Sequence, residues 1–586
     1  MKKTALLLMG ISLSASLASC SFSFGVSENP EPTRSETPSV SSETAPISSS
    51  ESLTSEETES LISEEEGRSD SVQTESSSSI ETDESLEESS LVSSESEVVP
   101  PLHKTIMAQS YGDYIHNNLY PLSSCPNMGE AHLLVIPVWF NDSSNYISPS
   151  KKENVRKDIA TAYFGTEEET GWHSVKTYYE KESYGRLEID GAVSPWYSVN
   201  NNSSYYKSDS DMSRITGLVN SAVDWYFQGK TEEEKSYFDA DGDGYLDGVM
   251  IIYGAPDYSA SYEDANDLWA FCYWTQADTS NEPVANAFFW ASYDFLYSMG
   301  TDAYVHAGSN YGTGVTRHCN IDAHTYIHEM GHVFGLEDYY DYADYENLPA
   351  GGFSMQDRNV GGHDPFSTMA LGWADPFIPT DDCTIELKPF QEDRDLILLT
   401  PQWNDFDSPF DEYLLLEFYT PTGLNAFDCA HRYGGYDIGP SAAGIRLWHV
   451  DARLAVCNTV DGSGFPIYDE ELTSNAKTRT PYGVTSAFSN TSSGPRSSVF
   501  GESYGSYDLL HLIRNDKSSK MRNTNAVSNA DLFRDGDSFS FSTFKSQFPN
   551  GQLRRMNSGE SLGWGFSVTI EQKGNNLTAF VDCYLE

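Results

Sequence analysis

One short run of residues could bind a metal ion and move a proton: residues 328–332, with the sequence HEMGH. The run lies inside a stretch, 321–334, whose pattern of apolar residues predicts a helix. Residues four apart share a helix face, so the imidazoles of His328 and His332 can both point at one Zn²⁺. Glu329 lies beside them, where it could deprotonate a metal-bound water. The pattern predicts hydrolysis of a peptide bond by a zinc-activated water.

A catalytic zinc needs a third protein ligand, because three side chains hold the ion and one position stays open for water. Asp338 completes the pattern H-E-x-x-H-x-x-G-x-x-D, in which Gly335 can take a positive φ and turn the chain back toward the metal. A chance match to this extended pattern has a probability of roughly one in ten thousand. Glu337 and Asp341 are close enough to be alternative ligands. His324 is too far along the helix axis to join both motif histidines, so we expect it to be a core or supporting residue.

A methionine follows the motif in a glycine-rich turn, residues 351–357 with the sequence GGFSMQD. Metzincin-type peptidases place such a Met-turn beneath the zinc. A methionine on its own is more often part of the core. Met355 is therefore predicted to lie under the metal only because the HEMGH run precedes it.

A second metal site is predicted in an acidic loop, residues 239–247 with the sequence DADGDGYLD. Four carboxylates occupy positions 1, 3, 5 and 9 of the loop, namely Asp239, Asp241, Asp243 and Asp247. Tyr245 at position 7 would contribute its backbone carbonyl, and the glycine at position 6 permits a sharp turn. Position 12 is Met250, where an EF-hand has a bidentate glutamate, so we expect a structural Ca²⁺ loop. The alternative is a solvated acidic turn without an ion.

Together with further segments, these motifs resemble the immune-inhibitor-A-like family of secreted bacterial metallopeptidases, of the metzincin type. The segments that carry the resemblance are residues 174–185 (SVKTYYEKESYG), 239–247, 328–341 (HEMGHVFGLEDYYD), 355–373 and 443–451 (AGIRLWHVD). The resemblance implies one zinc ion, structural calcium, and cleavage of proteins outside the cell. It extends over about residues 130–586.

The elements that must position these residues are mixed in the first part of the chain. Strands are predicted at 133–140, 187–189 and 249–253, and helices at 151–163, 174–181 and 212–227. Pro137 favours an edge position or a bulge for the first of these strands. Residues 105–376 are therefore predicted to form a domain of helices and strands, and the family resemblance implies that it is a zincin-like catalytic domain.

From about residue 377 the helix pattern gives way to β-rich runs at 412–419, 445–450, 538–544, 565–571 and 577–584. The last two runs are joined by residues 573–576 (KGNN), which predict a hairpin. We expect residues 377–586 to form a separate antiparallel β-sandwich domain. The predicted fold class is α+β, with a metzincin-type catalytic domain followed by this sandwich and preceded by a disordered tether.

The N-terminal part of the chain predicts export and attachment to a membrane surface. Residues 1–19 have the lysines and the short apolar run of a signal peptide. Leu-Ala-Ser before Cys20 resembles the bacterial lipobox, which implies a lipid on Cys20. Residues 20–104 are rich in serine and glutamate and are predicted to be a disordered tether. The expected location is extracellular, at the bacterial cell surface, with the lipid as the only membrane contact.

Composition limits the partners. The net charge is −53, with 88 Asp plus Glu against 35 Lys plus Arg, so no excess of cations is present to bind the phosphates of nucleic acid. The cysteines are too dispersed for a Cys-rich zinc site. We expect protein or peptide substrates, no nucleic acid, and a monomer.

Two other classes of function fit parts of the sequence. Residues 501–505 and 559–563 match the G-x-S-x-G pattern of serine hydrolases, but neither has the strand before it and the helix after it that a nucleophile elbow needs. A calcium-stabilised cell-surface adhesin with a non-catalytic zinc site is the stronger alternative, because the β domain could bind protein or glycan. The presence of Glu329 with both motif histidines favours the peptidase.

Overall fold

The structure is a computed structural model, and it describes residues 102–103, 125–207, 212–257, 268, 270–275, 283–298, 317–341, 344, 346–401, 409–460, 466–472, 483–486, 489–490 and 507–586. The predicted signal peptide, Cys20 and nearly all of the predicted tether lie outside these residues. No helix in the described part of the chain is both long and apolar enough to cross a membrane.

Helices and strands alternate in the first half of the chain, and strands dominate the second half. The strands are β1 (Leu102–His103), β2 (Gly129–Trp139), β3 (Leu187–Val193), β4 (Tyr197–Ser198), β5 (Gly248–Tyr253), β6 (Phe271–Trp274), β7 (Ala287–Ser292), β8 (Pro376–Ile378), β9 (Cys383–Leu387), β10 (Leu396–Leu399), β11 (Glu412–Tyr419), β12 (Gly444–Asp451), β13 (Leu454–Val460), β14 (Pro466–Leu472), β15 (Gly483–Ser486), β16 (Leu510–Ile513), β17 (Ser538–Ser540), β18 (Trp564–Lys573) and β19 (Asn576–Leu585).

The α-helices are α1 (Lys152–Phe164), α2 (Glu167–Thr170), α3 (Val175–Glu182), α4 (Met212–Phe227), α5 (Glu232–Ser236), α6 (Phe295–Ser298), α7 (His324–Val333), α8 (Met355–Arg358), α9 (Pro365–Ala370), α10 (Phe390–Asp393), α11 (Asn425–Asp428) and α12 (Phe541–Phe544). The four long helices that the sequence predicts are confirmed as α1, α3, α4 and α7. Ser174 shows why one of them starts where it does, since its side chain accepts a hydrogen bond from the Thr177 N–H and caps α3.

The N-terminal sheet consists of β3, β2, β5, β7 and β6 in that order, with β4 also paired to β2. Its neighbouring strands are parallel except for β6 and β7, which are antiparallel. β5 and β7 are buried along their whole length. Apolar side chains of α1, α3 and α7 cover one face of the sheet, and those of α4 cover the other. A parallel sheet covered on both faces needs such continuous apolar strands.

Pro137 does not mark an edge strand, contrary to the sequence prediction. β2 lies inside the N-terminal sheet, with β5 on one side and β3 followed by β4 on the other. The carbonyl of Val135 accepts from Ser194 N at 2.9 Å, and the carbonyl of Trp139 accepts from Val199 N at 3.0 Å. Pro137 lies between them and faces the same side, at the break between β3 and β4. The missing N–H of proline therefore removes no ladder hydrogen bond.

A second sheet, here called the bridging sheet, has the strand order β1, β8, β10, β11, β12, β16. β8 and β10 are parallel, and the other neighbours are antiparallel. The predicted antiparallel arrangement is therefore wrong for this one pair. β1 corrects the predicted tether as well, because Leu102 and His103 pair with Ile378 and Phe377 of β8.

The C-terminal sheet has the order β17, β18, β19, β9 and is antiparallel throughout. The predicted hairpin is confirmed, because Lys573 pairs with Asn576 and Gly574 in the turn has a φ of 67°. The predicted strand at 538–544 is shorter than expected. It ends at Ser540, and Phe541 and Phe544 bury their side chains from one side of α12 instead.

The bridging sheet separates two apolar clusters. Trp448 and Val450 of β12 belong to a cluster that also holds residues of α1, α3 and α7, whereas Ile445 and Leu447 belong to a cluster shared with the C-terminal sheet. The helices α1, α3 and α7 thus lie in a layer between the N-terminal sheet and the bridging sheet. All described residues belong to one compact unit. The domain boundary at 376 stays a prediction.

Candidate metal centre

The predicted metal helix is α7, which lies in the layer between the two sheets. All of its residues are buried, including His328, Glu329 and His332. A buried ionisable side chain needs partners inside the protein, because the desolvation of an unpaired charge is costly. The partners of these three side chains therefore define the site.

The two motif histidines and Asp338 bring three donor atoms together. The Nε2 atoms of His328 and His332 are 3.2 Å apart. Asp338 Oδ1 lies 2.9 Å from His328 Nε2 and 3.3 Å from His332 Nε2. Ligand atoms that lie about 2.0–2.1 Å from a tetrahedral zinc ion are about 3.3 Å from one another. The three atoms therefore have the spacing of three corners of a tetrahedral zinc site.

Backbone carbonyls set the orientation of both imidazole rings. His328 Nδ1 lies 2.8 Å from the carbonyl oxygen of Met355, and His332 Nδ1 lies 2.8 Å from that of Leu336. A carbonyl oxygen only accepts hydrogen bonds, so each Nδ1 carries a hydrogen and the Nε2 of a neutral ring presents a lone pair. Two lone pairs and a carboxylate oxygen then converge, and a cation among them offsets their repulsion. The donor set fits Zn²⁺.

A glycine turn brings the carboxylate back to the helix. Gly335 has a φ of 96°, and its N–H donates to the carbonyl of His332 at 2.9 Å. The N–H of Leu336 donates to the carbonyl of Gly331 at 3.0 Å, which closes the end of α7. A side chain at position 335 would be strained at this φ. The chain reverses over these residues and places Asp338 beside both motif histidines.

The structure distinguishes Asp338 from the two alternative ligands. Asp341 accepts hydrogen bonds from Asp344 N and Asn347 Nδ2, both at 3.2 Å. Among the described residues, Asp338 has a carboxylate oxygen close enough to both motif histidines to share a metal ion with them. Glu337 and Asp341 do not belong to this group. The geometry therefore favours Asp338 as the third donor.

The buried groups of the centre favour the presence of a positive charge. Burial raises the pKa of Glu329 to about 7, and its Oε2 atom has no hydrogen-bond partner in the described residues. Burial lowers the pKa of His332, but the carboxylates of Asp338 and Glu329 outweigh it and raise that pKa to about 9. Burial is outweighed at Asp338 as well, where the two imidazoles lower the pKa. A centre that holds a proton this firmly also attracts a metal cation.

The predicted Met-turn lies directly against the metal helix. Met355 is fully buried, and its carbonyl orients His328 as described above. The next residue, Gln356, packs on Gly331, where an added Cβ would lie only 2.3 Å from Gln356 Oε1. A side chain at position 331 would therefore have to displace the buried amide of Gln356.

Two tyrosines of α3 hold the centre from the side, a role that sequence reasoning missed. Tyr179 donates to the carbonyl of Ile327 at 2.6 Å, and Tyr178 donates to the carbonyl of Gly361 at 3.0 Å. Both tyrosines are buried. The sequence signal was their place in segment 174–185, which carried the family resemblance without a stated role.

His324 is a supporting residue, as its spacing suggested. Its Nδ1 lies 2.8 Å from Asp322 Oδ1, its Nε2 lies 3.4 Å from Asp428, and its ring stacks on Trp172 with centroids 3.6 Å apart. Burial lowers its pKa, but the two carboxylates outweigh burial and raise the pKa to about 9. Asp428 is 104 residues away in the chain, so the sequence could not reveal this pairing.

A buried ion pair connects the bridging sheet to the turn before Met355. Arg446 Nε lies 2.7 Å from Glu417 Oε1, and Arg446 also donates to the carbonyl of Phe353 at 3.1 Å. Trp448 donates to the same Glu417 oxygen at 2.9 Å. Because all three side chains are buried, the position of the turn is tied to the sheet.

The acidic loop also folds around a common point. Asp239, Asp241 and Asp247 bring carboxylate oxygens within 4.8 Å of one another. The loop closes on itself, because Gly244 N donates to Asp239 at 3.1 Å and Tyr245 N donates to Asp243 at 2.8 Å. The structure therefore groups three of the four predicted carboxylates, and it places Asp243 and Tyr245 in the turn between them.

The carboxylates of this loop lie close enough together to favour binding of a cation. Burial raises the pKa of Asp247 to about 7, although its hydrogen bonds from His132 N and Ala240 N lower it. The buried Oδ1 of Asp239 has no hydrogen-bond partner in the described residues. Three carboxylates with a buried, unsatisfied oxygen fit the oxygen donor set of Ca²⁺.

Comparison with known families agrees with this geometry. Residues 130–355 match the family model described as immune inhibitor A peptidase M6, catalytic domain. The match includes the HEMGH run, Asp338, the acidic loop and the N-terminal sheet, and it ends at Met355. No curated protein gives a significant match to the chain.

The pKa of His324 gives a prediction for the pH dependence of stability. A folded-state pKa of about 9, above the ordinary value of 6.5, means that the stabilisation is complete below about pH 6.5 and is lost as the pH rises to about 9. We expect His324→Gln to remove on the order of 1–3 kcal/mol of this pH-dependent free energy of unfolding. Urea unfolding at pH 6, pH 8 and pH 9.5, with the metal concentration held fixed, measures it, and the interval from pH 8 to pH 9.5 isolates the folded-state titration of His324.

His173→Gln is the matched control. His173 is buried nearby, and burial lowers its pKa to about 3, so it stays neutral across this pH range. Above about pH 8 it is neutral in the unfolded chain as well, so its replacement should leave the loss of stability between pH 8 and pH 9.5 unchanged. If His324→Gln retained the wild-type slope, the assignment of a buried imidazolium would be wrong.

Proposed function

Because residues 130–355 match the model of the immune inhibitor A peptidase M6 catalytic domain, we propose that the chain is a zinc-dependent endopeptidase that cleaves proteins outside the cell. Membership of this family implies a metallopeptidase. The proposal adds the identity of the metal, the residues that hold it and the place of action. The observation that carries it is the convergence of His328 Nε2, His332 Nε2 and Asp338 Oδ1 beside a buried glutamate.

The side chains that would bind the metal are distinct from the backbone groups that orient them. His328, His332 and Asp338 would hold the zinc, and the carbonyls of Met355 and Leu336 keep both rings turned toward it. When bound, zinc lowers the pKa of a water toward ~7 and polarises the substrate carbonyl.

Glu329 is the proton carrier in this proposal. It follows His328 in the buried helix, and one of its oxygens is left unpaired in the described residues. Its carboxylate takes the proton of the attacking water and returns it to the leaving amine. Protein or peptide substrates follow from this chemistry.

The finer fold assignments are part of the same proposal. A metzincin-type centre is supported by the positive φ of Gly335, the return of Asp338 and the position of Met355 against α7. A β-sandwich after residue 377 is supported by the apolar cluster that the bridging and C-terminal sheets share. Nothing in the described residues favours the adhesin alternative.

Replacement of Glu329 tests the catalytic role. Glu329→Gln keeps the volume of the side chain and removes the base, so we expect bound zinc and the fold to persist while turnover falls about 10²–10⁴-fold. His332→Ala should lose the metal as well. The measurement is cleavage of an unfolded protein such as casein, with and without a chelator, together with metal analysis of each variant.

Glu182→Gln is the matched control for that experiment. Glu182 is also fully buried, and burial raises its pKa to about 8, but its contact is with Thr368 rather than with the metal donors. We expect it to keep wild-type turnover. Equal activity in Glu329→Gln and wild type would end the peptidase assignment, and zinc binding without cleavage by wild type would favour the adhesin.

We also propose that the acidic loop binds structural calcium through Asp239, Asp241 and Asp247, with Asp243 and Tyr245 shaping the turn. The loop leads directly into β5, since Asp247 precedes the first residue of that strand. Phe238 O accepts from Asp247 N at 2.8 Å, and Asp247 in turn accepts from His132 N in β2. A bound ion would therefore stiffen the junction of two strands of the N-terminal sheet.

A calcium titration of zinc-saturated protein tests this site. Calcium at 100 times its Kd should stabilise the wild type by about 2.7 kcal/mol. Asp239→Asn keeps the shape but removes a ligand charge, so its melting temperature should respond to calcium much less. Asp224→Asn, in α4, is the control and should respond like wild type. An equal response in Asp239→Asn and wild type would contradict the site.

We further propose that the lipobox-like segment places a lipid on Cys20 and holds the protein at the cell surface. The support is the sequence alone: a signal-like run that ends at Cys20 and the Ser- and Glu-rich stretch after it. Expression of the full chain with a labelled fatty acid should label the wild type but not Cys20→Ser. An unlabelled wild-type chain would refute the anchor.

A further inference from the structure

The residue after Asp338 is fixed at three points. The N–H of Tyr339 donates to the carbonyl of Gln356 at 2.8 Å, and its hydroxyl lies 2.9 Å from Ser367 Oγ. Its carbonyl accepts from Nδ2 of Asn490 at 2.8 Å. The N–H of Tyr339 shares a peptide plane with the carbonyl of Asp338. These contacts therefore determine where the Asp338 side chain starts.

Asn490 reaches this loop from a distant part of the chain. It is 151 residues from Tyr339 in sequence, lies outside the residues that match the family model, and is 1% exposed. Its amide pairs with Leu510 in both directions: Nδ2 donates to Leu510 O at 2.8 Å, and Oδ1 accepts from Leu510 N at 3.0 Å. The side-chain amide of Asn490 thus pairs with the outer edge of β16, and the same amide also binds the carbonyl of Tyr339.

The edge of β16 is a rigid support. β16 pairs with β12 over four residues, and Leu512 N donates to the carbonyl of Pro349 at 2.9 Å. Asn490 is therefore held by a strand of the bridging sheet, and the loop that carries Asp338 is held by Asn490. Without the amide, the buried carbonyl of Tyr339 would lose this donor.

We infer that Asn490 is a positioning residue for the metal centre, which holds Asp338 at ligand distance by fixing the carbonyl of Tyr339 to the bridging sheet. This inference rests on the proposed function. It makes the β-rich half of the chain part of the metal site, although none of the donor atoms comes from that half.

Asn490→Ala tests the inference through metal affinity, with Gln547→Ala as a matched control. Gln547 is also fully buried, and its amide makes the same two-way pairing with Arg514, next to the end of β16. In the described part of the chain its hydrogen bonds go to Arg514 and Asp516, and not to the loop that carries Asp338. We expect Asn490→Ala to weaken Zn²⁺ binding about 10–100-fold, measured by competition with a chromogenic chelator, and Gln547→Ala to leave it near wild type.

The outcomes separate this inference from the proposed function. If the wild type binds no zinc, both fail. If the wild type binds zinc but Asn490→Ala and Gln547→Ala bind equally well, the positioning role alone is refuted. If Asn490→Ala does not fold, Asn490→Leu replaces it, because it fills a similar volume but cannot donate to Tyr339; wild-type zinc affinity in that variant would also overturn the inference.

Discussion

The structure around the centre depends on one electrostatic constraint: three electron-pair donors point at a single buried position. The lone pairs of His328 and His332 and the charge of Asp338 repel one another at about 3 Å unless a proton or a metal cation lies between them. The surrounding protein must hold the donors in this unfavourable arrangement before the cation arrives. Carbonyls turn the rings, a glycine bend returns the carboxylate, and two sheets enclose the helix.

The bridging sheet supplies much of that restraint. The buried pair of Arg446 and Glu417 reaches the carbonyl of Phe353, which lies just before the turn that orients His328. Asp428 reaches His324 on the same helix, and Asn490 reaches Tyr339. The bridging sheet contributes none of the three donor atoms, yet it contacts the centre from several directions, so the mixed part and the β-rich part of the described chain pack as one unit.

The features that could be predicted from the sequence are those formed by residues close together in the chain. The spacing of His328, His332 and Asp338 is set by one helix and one glycine bend, and the hairpin around Gly574 is set by its own turn residues. These features could be read without tertiary structure. The acidic loop belongs with them, because its side chains fold back on neighbouring backbone groups.

The rest could not be predicted, because it depends on which distant segments meet. Pro137 favoured an edge position or a bulge, yet β2 lies inside the sheet, where the break between β3 and β4 accommodates the proline. Likewise, no local pattern connects Asn490 with Tyr339. The alternation of β12 has a practical meaning for reading substitutions: Trp448 and Leu447 are chain neighbours, but they face different clusters. Even-numbered and odd-numbered positions of β12 face opposite sides of the sheet. A substitution at Trp448 therefore affects the packing of one apolar cluster, and a substitution at Leu447 affects the other.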